Sequence, residues 1–113
     1  MPTVEITVKL APGITAPGAE VTLRAQVEEV SAVDAPARVV AREVLHGVRL
    51  ERPQRLLLEA PPPDPRARYT VRVHADSDGS GLVATDDLVT TRAYPVLTDG
   101  HPNRVVVELS AAS

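Results

Sequence analysis

The sequence predicts an all-β fold, a single antiparallel β-sandwich of about seven to eight strands built from residues 1–113 as one domain. Three observations predict it. Apolar and polar residues alternate at period two through most segments, proline and glycine separate those segments, and helical periodicity is scarce. A chain of 113 residues can bury about two thirds of its unfolded surface in one core, so it needs neither disulfides nor a structural metal to fold. With no Phe, no Trp, one Met and only Tyr69 and Tyr94 as aromatics, that core must be filled by Val, Leu, Ile and Ala.

Taken in order, Thr3 to Leu10 places Val4, Ile6, Val8 and Leu10 on one face and Glu5, Thr7 and Lys9 on the other, a strand buried on one side. Pro12, Gly13, Pro17 and Gly18 mark a connection. Glu20 to Val30 resumes the alternation through Val21, Leu23, Ala25 and Val27, then falls out of phase near Glu28, where a bulge or a strand end is expected. Ser31 to Pro36 reads as a loop. Ala37 to Leu45 reads as a strand, although its Ala, Arg and Glu also suit a short helix. Gln54 to Glu59 is a short strand, with room for a second short one before it at Val48 to Leu50. Four prolines between Ala60 and Pro65 mark a stiff crossover. Arg68 to Ala75 alternates with Tyr69, Val71, Val73 and Ala75 on one side, and Val83 to Arg92 is a weaker strand. Pro95 interrupts the segment after Arg92, and Arg104 to Leu109 closes the chain with Val105, Val107 and Leu109 inward.

Composition narrows the function. The sequence has no cysteine, which excludes a disulfide, a thiolate metal site, a thiol nucleophile and a lipid-modified cysteine within these residues. No apolar run reaches the length of a membrane span, and Met1 to Thr7 has neither the charged nor the apolar part of a secretory signal. The residues as written therefore read as cytoplasmic, and as a cell-envelope domain if an export signal has been removed. The net charge of −3 is local. Asp76, Asp78, Asp86 and Asp87 fall in one stretch without a base, and setting them aside leaves eleven acids against twelve bases. With no basic stripe and few aromatics, nucleic-acid binding is not expected.

The segments DPRARYTVRV (Asp64 to Val73) and AYPVLTDGHPNRVVVEL (Ala93 to Leu109), with EVTLRAQVEEVSAVDAPARVVA (Glu20 to Ala41) upstream, resemble the YbaY/YscW family. The resemblance runs from about Ile6 to Leu109, and its most specific pieces are the turn at Asp34 to Pro36 and the run Ala93 to Thr98. It implies a small β-sandwich lipoprotein. In the YscW branch it implies a type III secretion pilot that acts as a chaperone for outer-membrane secretin rings. Where that family has a shorter hairpin, this chain has its acidic stretch.

That stretch, Asp76 to Asp87, has the spacing of an EF-hand or dockerin calcium loop. Carboxylates stand at positions one, three and twelve (Asp76, Asp78, Asp87), a hydroxyl at five (Ser80) and Gly81 at six. The Leu82 carbonyl supplies a backbone oxygen, and Val83 pins the loop to the core. Hard Ca²⁺ takes six to eight oxygens, and alternate residues of a tight loop point theirs inward. The incoming segment is a strand rather than a helix, so a polar hairpin turn without an ion is the plain alternative. His46, His74 and His101 are dispersed and lack zinc spacing, and neither a nucleophile elbow nor a phosphate loop is present. The expectation is a non-catalytic, chaperone-like module that engages a protein partner, or a Ca²⁺-stabilised structural domain, with no enzyme activity.

Overall fold

Alternation becomes structure strand by strand. A computed structural model describes residues 2–30, 36–98 and 102–112. Eight strands, and no helix among the described residues, follow one another as β1 (Thr3–Leu10), β2 (Val21–Glu29), β3 (Arg38–Val48), β4 (Gln54–Glu59), β5 (Tyr69–Asp76), β6 (Leu88–Val89), β7 (Pro95–Val96) and β8 (Arg104–Ala111). β1 and β4 have the predicted bounds. The ambiguous third segment is a strand that runs on to Val48, so no separate strand exists at Val48 to Leu50. A register shift between Val27 and Glu28 against β3 is the irregularity that the broken alternation predicted. The loop at Ser31 to Pro36, including all but Pro36 of the Asp34 to Pro36 turn, lies outside the described residues.

Two expectations need correction. The strands form one sheet in the order β3-β2-β5-β6-β8-β1-β4, with β7 paired to β5, curled nearly into a barrel rather than divided into two stacked sheets. It is also not wholly antiparallel, because β1 and β8 run parallel, from Glu5 opposite Arg104 to Leu10 opposite Leu109. Alternation reports that one face of each strand is buried, but a curled sheet and two stacked sheets bury that face equally well. β8 joins the two halves. Its first six residues pair with β1, while Ser110 and Ala111 pair with β6.

The predicted strand at Val83 to Arg92 shrinks to Leu88–Val89. From Thr90 to Thr98 the chain straps β5 by other means besides the short β7 pairing. The Thr90 hydroxyl takes the Val73 N–H, the Tyr94 carbonyl takes the Val71 N–H, and the Thr98 hydroxyl takes the Tyr69 N–H. Side-chain and irregular backbone acceptors thus complete the open side of β5, as buried backbone donors require.

Ile6, Leu23, Leu58 and Leu109 are the largest fully buried apolar side chains, and Val4, Val8, Val27, Val71, Val96 and Val107 fill the space between them. Both tyrosines are buried and use their hydroxyls. Tyr69 accepts the Asp64 N–H at 2.9 Å. Tyr94 accepts the Glu108 N–H at 3.0 Å and Arg92 Nε at 3.1 Å, with the Arg92 guanidinium 5.2 Å from its ring centroid. Tyr94 therefore ties the strap to β8. Tyr94→Phe keeps the ring but leaves the Glu108 N–H without that acceptor, and is expected to lower stability by about 1–2 kcal/mol in urea unfolding.

Candidate functional site

The acidic stretch leaves β5 at Asp76 and returns into β6 at Leu88, so that His74 pairs with Val89 and Ala75 with Leu88. Gly79 (φ 72°) and Gly81 (φ 83°) take the left-handed backbone conformation that lets the loop double back over β2 and β5. Two carboxylates are buried beneath it, Asp76 and Asp87, each with about 1% of its surface exposed.

Protein donors surround both. Asp76 accepts the N–H of Gly79 at 3.1 Å, the N–H of Gly81 at 2.7 Å and Arg24 Nε at 3.1 Å. Asp87 accepts the Ser77 N–H at 3.0 Å, the Ser77 hydroxyl at 2.7 Å, the Ala84 N–H at 3.0 Å and His74 Nε2 at 2.6 Å. Arg24 also reaches the Gly79 carbonyl. Each carboxylate thus cross-links its own loop and one residue of the sheet, Arg24 on β2 or His74 on β5.

Electrostatics follow from that geometry. Burial is the largest influence on both groups and pushes their pKa values up. For Asp76 the Gly81 N–H and the Arg24 guanidinium outweigh it and hold the pKa at about 2. For Asp87, hydrogen bonds from Ala84, His74 and Ser77 hold it well below the usual carboxylate range.

The structure distributes the sequence-predicted calcium ligands unevenly. Asp76 and Asp87 come together, and with His74 they form a cluster whose candidate ligand atoms lie within 4.8 Å of one another. Asp78 is outside it. It is exposed and accepts the Ser80 N–H at 3.0 Å, while the Ser80 hydroxyl accepts the Leu82 N–H and donates to the Leu82 carbonyl. Val83, expected to pin the loop to the core, is 60% exposed, and Leu82 is 75% exposed. The donors already on Asp76 and Asp87, one of them a cationic guanidinium, do the neutralising that an ion does in a calcium loop. The donors present close the loop by hydrogen bonds, with Asp76 and Asp87 as their shared acceptors. His74, set aside as dispersed, joins the cluster because period two puts it on the same outer face as Arg24, its cross-strand neighbour. His46 is exposed on β3, and His101 lies outside the described residues.

Between the loop and the outer face of β2 and β5 runs a groove of about 410 Å³, lined among others by Arg24, Gln26, Arg72, His74, Val83 and Val89. A neighbouring depression shares Arg72 and continues past Glu28 and Thr70 to Val30 and Arg92. The buried carboxylates sit under the loop and do not line the groove.

Two measurements check the loop's construction. Asp87→Ala strands buried donors and is expected to cost about 3 kcal/mol, whereas Asp78→Ala, on the exposed turn, is expected to change stability by less than about 0.5 kcal/mol. Thermal midpoints in excess Ca²⁺ and in excess chelator are expected to coincide, and a higher midpoint with Ca²⁺ would show an ion in the loop. The second measurement is pH dependence. Both carboxyls titrate lower in the folded protein than at their unfolded value near 4, so their stabilisation is complete above that value and is lost as pH falls below it, for Asp76 through about 2. Urea midpoints are expected to fall between about pH 5 and pH 2, and Asp76→Asn is expected to flatten that slope.

The chain matches the family described as type III secretion system lipoprotein chaperone (YscW) over residues 1–109. A structure of an alternative pilotin from the type II secretion system of Vibrio cholerae shares the fold, with a TM-score of 0.75 and 22% sequence identity, covering 99% of this chain and 97% of that one. No curated protein matches the sequence. Spanning all but the last four residues, the family match extends the resemblance carried by the Glu20 to Ala41, Asp64 to Val73 and Ala93 to Leu109 segments. The chain belongs to the YscW family of type III secretion system lipoprotein chaperones.

Proposed function

We propose that this protein is a non-catalytic chaperone of the cell envelope whose partner is a segment of an outer-membrane secretin subunit. The observation that carries the reading is the family match over residues 1–109. The groove on the outer face of β2 and β5 supports a binding role. It offers the exposed Arg72 guanidinium beside apolar surface at Val83 and Val89, with Arg24 held by Asp76 and Gln26 by Glu28, a mixture that suits an amphipathic peptide. Against catalysis stands the placement of the titratable groups. His74 lines the groove but its Nε2 is hydrogen-bonded to Asp87, and both buried carboxylates lie beneath the loop among their donors, so neither carboxylate opens into the groove as a general base. No helix among the described residues is long and apolar enough to cross a membrane.

Calorimetric titration of the purified chain with segments of the secretin encoded in the same genome tests this reading. Saturable one-to-one binding is expected, weakened at least about ten-fold by Arg72→Glu combined with Val83→Asp, which reverses one charge and removes one apolar contact at the groove. Absence of binding by any segment of that secretin would overturn it.

A further inference from the structure

The sheet stops short of closing, and its two ends differ. β3 and β4 terminate the strand order, each hydrogen-bonded to a neighbour on one side only, and they touch each other without a ladder between them. β3 is a blunted edge. Its pairing with β2 carries two register shifts, and Glu43, opposite buried Ala25, points to the core-facing side yet is exposed. β4 has none of these defences. It pairs with β1 in unbroken register from Thr3 opposite Glu59 to Val8 opposite Gln54, and at its centre Leu57 is 55% exposed. An unbulged edge with a central exposed leucine is a template for another strand.

The sequence of β4 specifies which strand. Its outward row is Arg55, Leu57 and Glu59, and its inward row carries Leu56 and Leu58. Laid antiparallel against itself about Leu57, the strand places Arg55 opposite Glu59 at both ends, Leu57 opposite Leu57, and Leu56 opposite Leu58 on the core side. A two-fold axis perpendicular to the sheet preserves all of these facings, as an isologous contact requires. Competing registers fail. A centre at Leu56 sets Arg55 against Leu57, and a centre at Leu58 sets Leu57 against Glu59 and brings Pro61 opposite Arg55. The charges are also available. The Arg55 side chain is 69% exposed, held along the outer face at 3.2 Å from Glu5, and Glu59 is exposed and makes no ion pair among the described residues. We propose that two copies of this chain associate edge to edge through antiparallel pairing of β4, centred on Leu57, with Arg55 of each copy facing Glu59 of the other.

A six-residue strand pairing is a small interface, so the association is weak and salt-sensitive. Sedimentation equilibrium from about 10 μM to about 1 mM at low salt is expected to show a monomer–dimer equilibrium that added salt weakens. Glu59→Arg sets arginine against arginine at both ends of the pair, and Arg55→Glu sets glutamate against glutamate, so each variant alone is expected to associate at least about ten-fold more weakly. An equimolar mixture of the two restores every opposite-charge facing and is expected to form the mixed dimer at wild-type strength, a rescue that no folding defect would produce. Leu57→Lys, which opposes two lysines at the centre, is expected to abolish pairing. Wild-type protein that stays monomeric throughout, single variants that associate like wild type, or a mixture that stays monomeric would each overturn the proposal. Secretin binding at the β2 and β5 groove is read independently by the calorimetric titration.

Discussion

The constraint on which this structure depends is the supply of small aliphatic side chains for its interior. With no Phe or Trp, the strands offer the core rows of Val, Leu, Ile and Ala, with Tyr69 in the row of β5, and close packing of such small side chains requires the backbones around them to approach closely. The sheet answers by curling. β8 pairs parallel to β1 over six residues and then turns its last two to β6, so that one continuous surface wraps the apolar rows of every long strand. The two tyrosines are placed where their hydroxyls reach donors at the edge of that core, and so couple the crossover at Asp64 and the strap at Tyr94 to the sheet.

A second, polar core sits outside the first. Asp76 and Asp87 are as fully buried as the core valines, yet they are surrounded by seven donors rather than by methyl groups. A buried carboxylate in this state resists displacement, because moving the loop would strand either the charge or its donors. The loop, an acidic flap by composition, is therefore anchored at both feet, while its tip at Leu82 and Val83 projects freely. The groove wall owes its position to these anchors, which links the loop's carboxylates to the architecture of the groove.

Much of the fold was legible in the sequence, and the failures have physical causes. Thr3 to Leu10 and Gln54 to Glu59 were readable to the residue because one face of each is buried and one is wet, and the bulge near Glu28 showed as a break in phase. The strand expected at Val83 to Arg92 was over-read. Thr and Val favour extended backbone, but here Thr90 spends its hydroxyl on the Val73 N–H instead of continuing a ladder. The parallel β1–β8 pair was invisible because alternation carries no information about strand direction. At the loop, Asp, Ser and Gly at those spacings serve two ends equally well, since backbone N–H groups and calcium both seek carboxylate oxygens in tight turns. What distinguishes the two is Arg24, 52 residues away in sequence, and His74 on the preceding strand. The signal that could have found them is the outward row of β2 and β5, where Arg24 and His74 fall opposite each other.

The contrast between the two sheet edges bears on how such a domain stays selective. An edge strand exposes backbone donors and acceptors to any extended chain, and a protein that handles other polypeptides meets many of them. β3 is guarded by register shifts and by the misplaced charge of Glu43, so pairing there would meet an irregular ladder and would have to bury an exposed carboxylate. β4 is guarded differently, by brevity and by charge order. Pro53 and Pro61 bound its six residues, and the sequence Arg-Leu-Leu-Leu-Glu rewards only a strand whose charges run in the opposite sense. A copy of the same strand, reversed by a two-fold axis, meets that condition at every position. Self-pairing is thus an interaction for which the charge order of this edge is complementary by construction. It leaves the groove on β2 and β5 untouched, because the pairing uses the backbone edge of β4 while the groove lies on the outer face of β2 and β5.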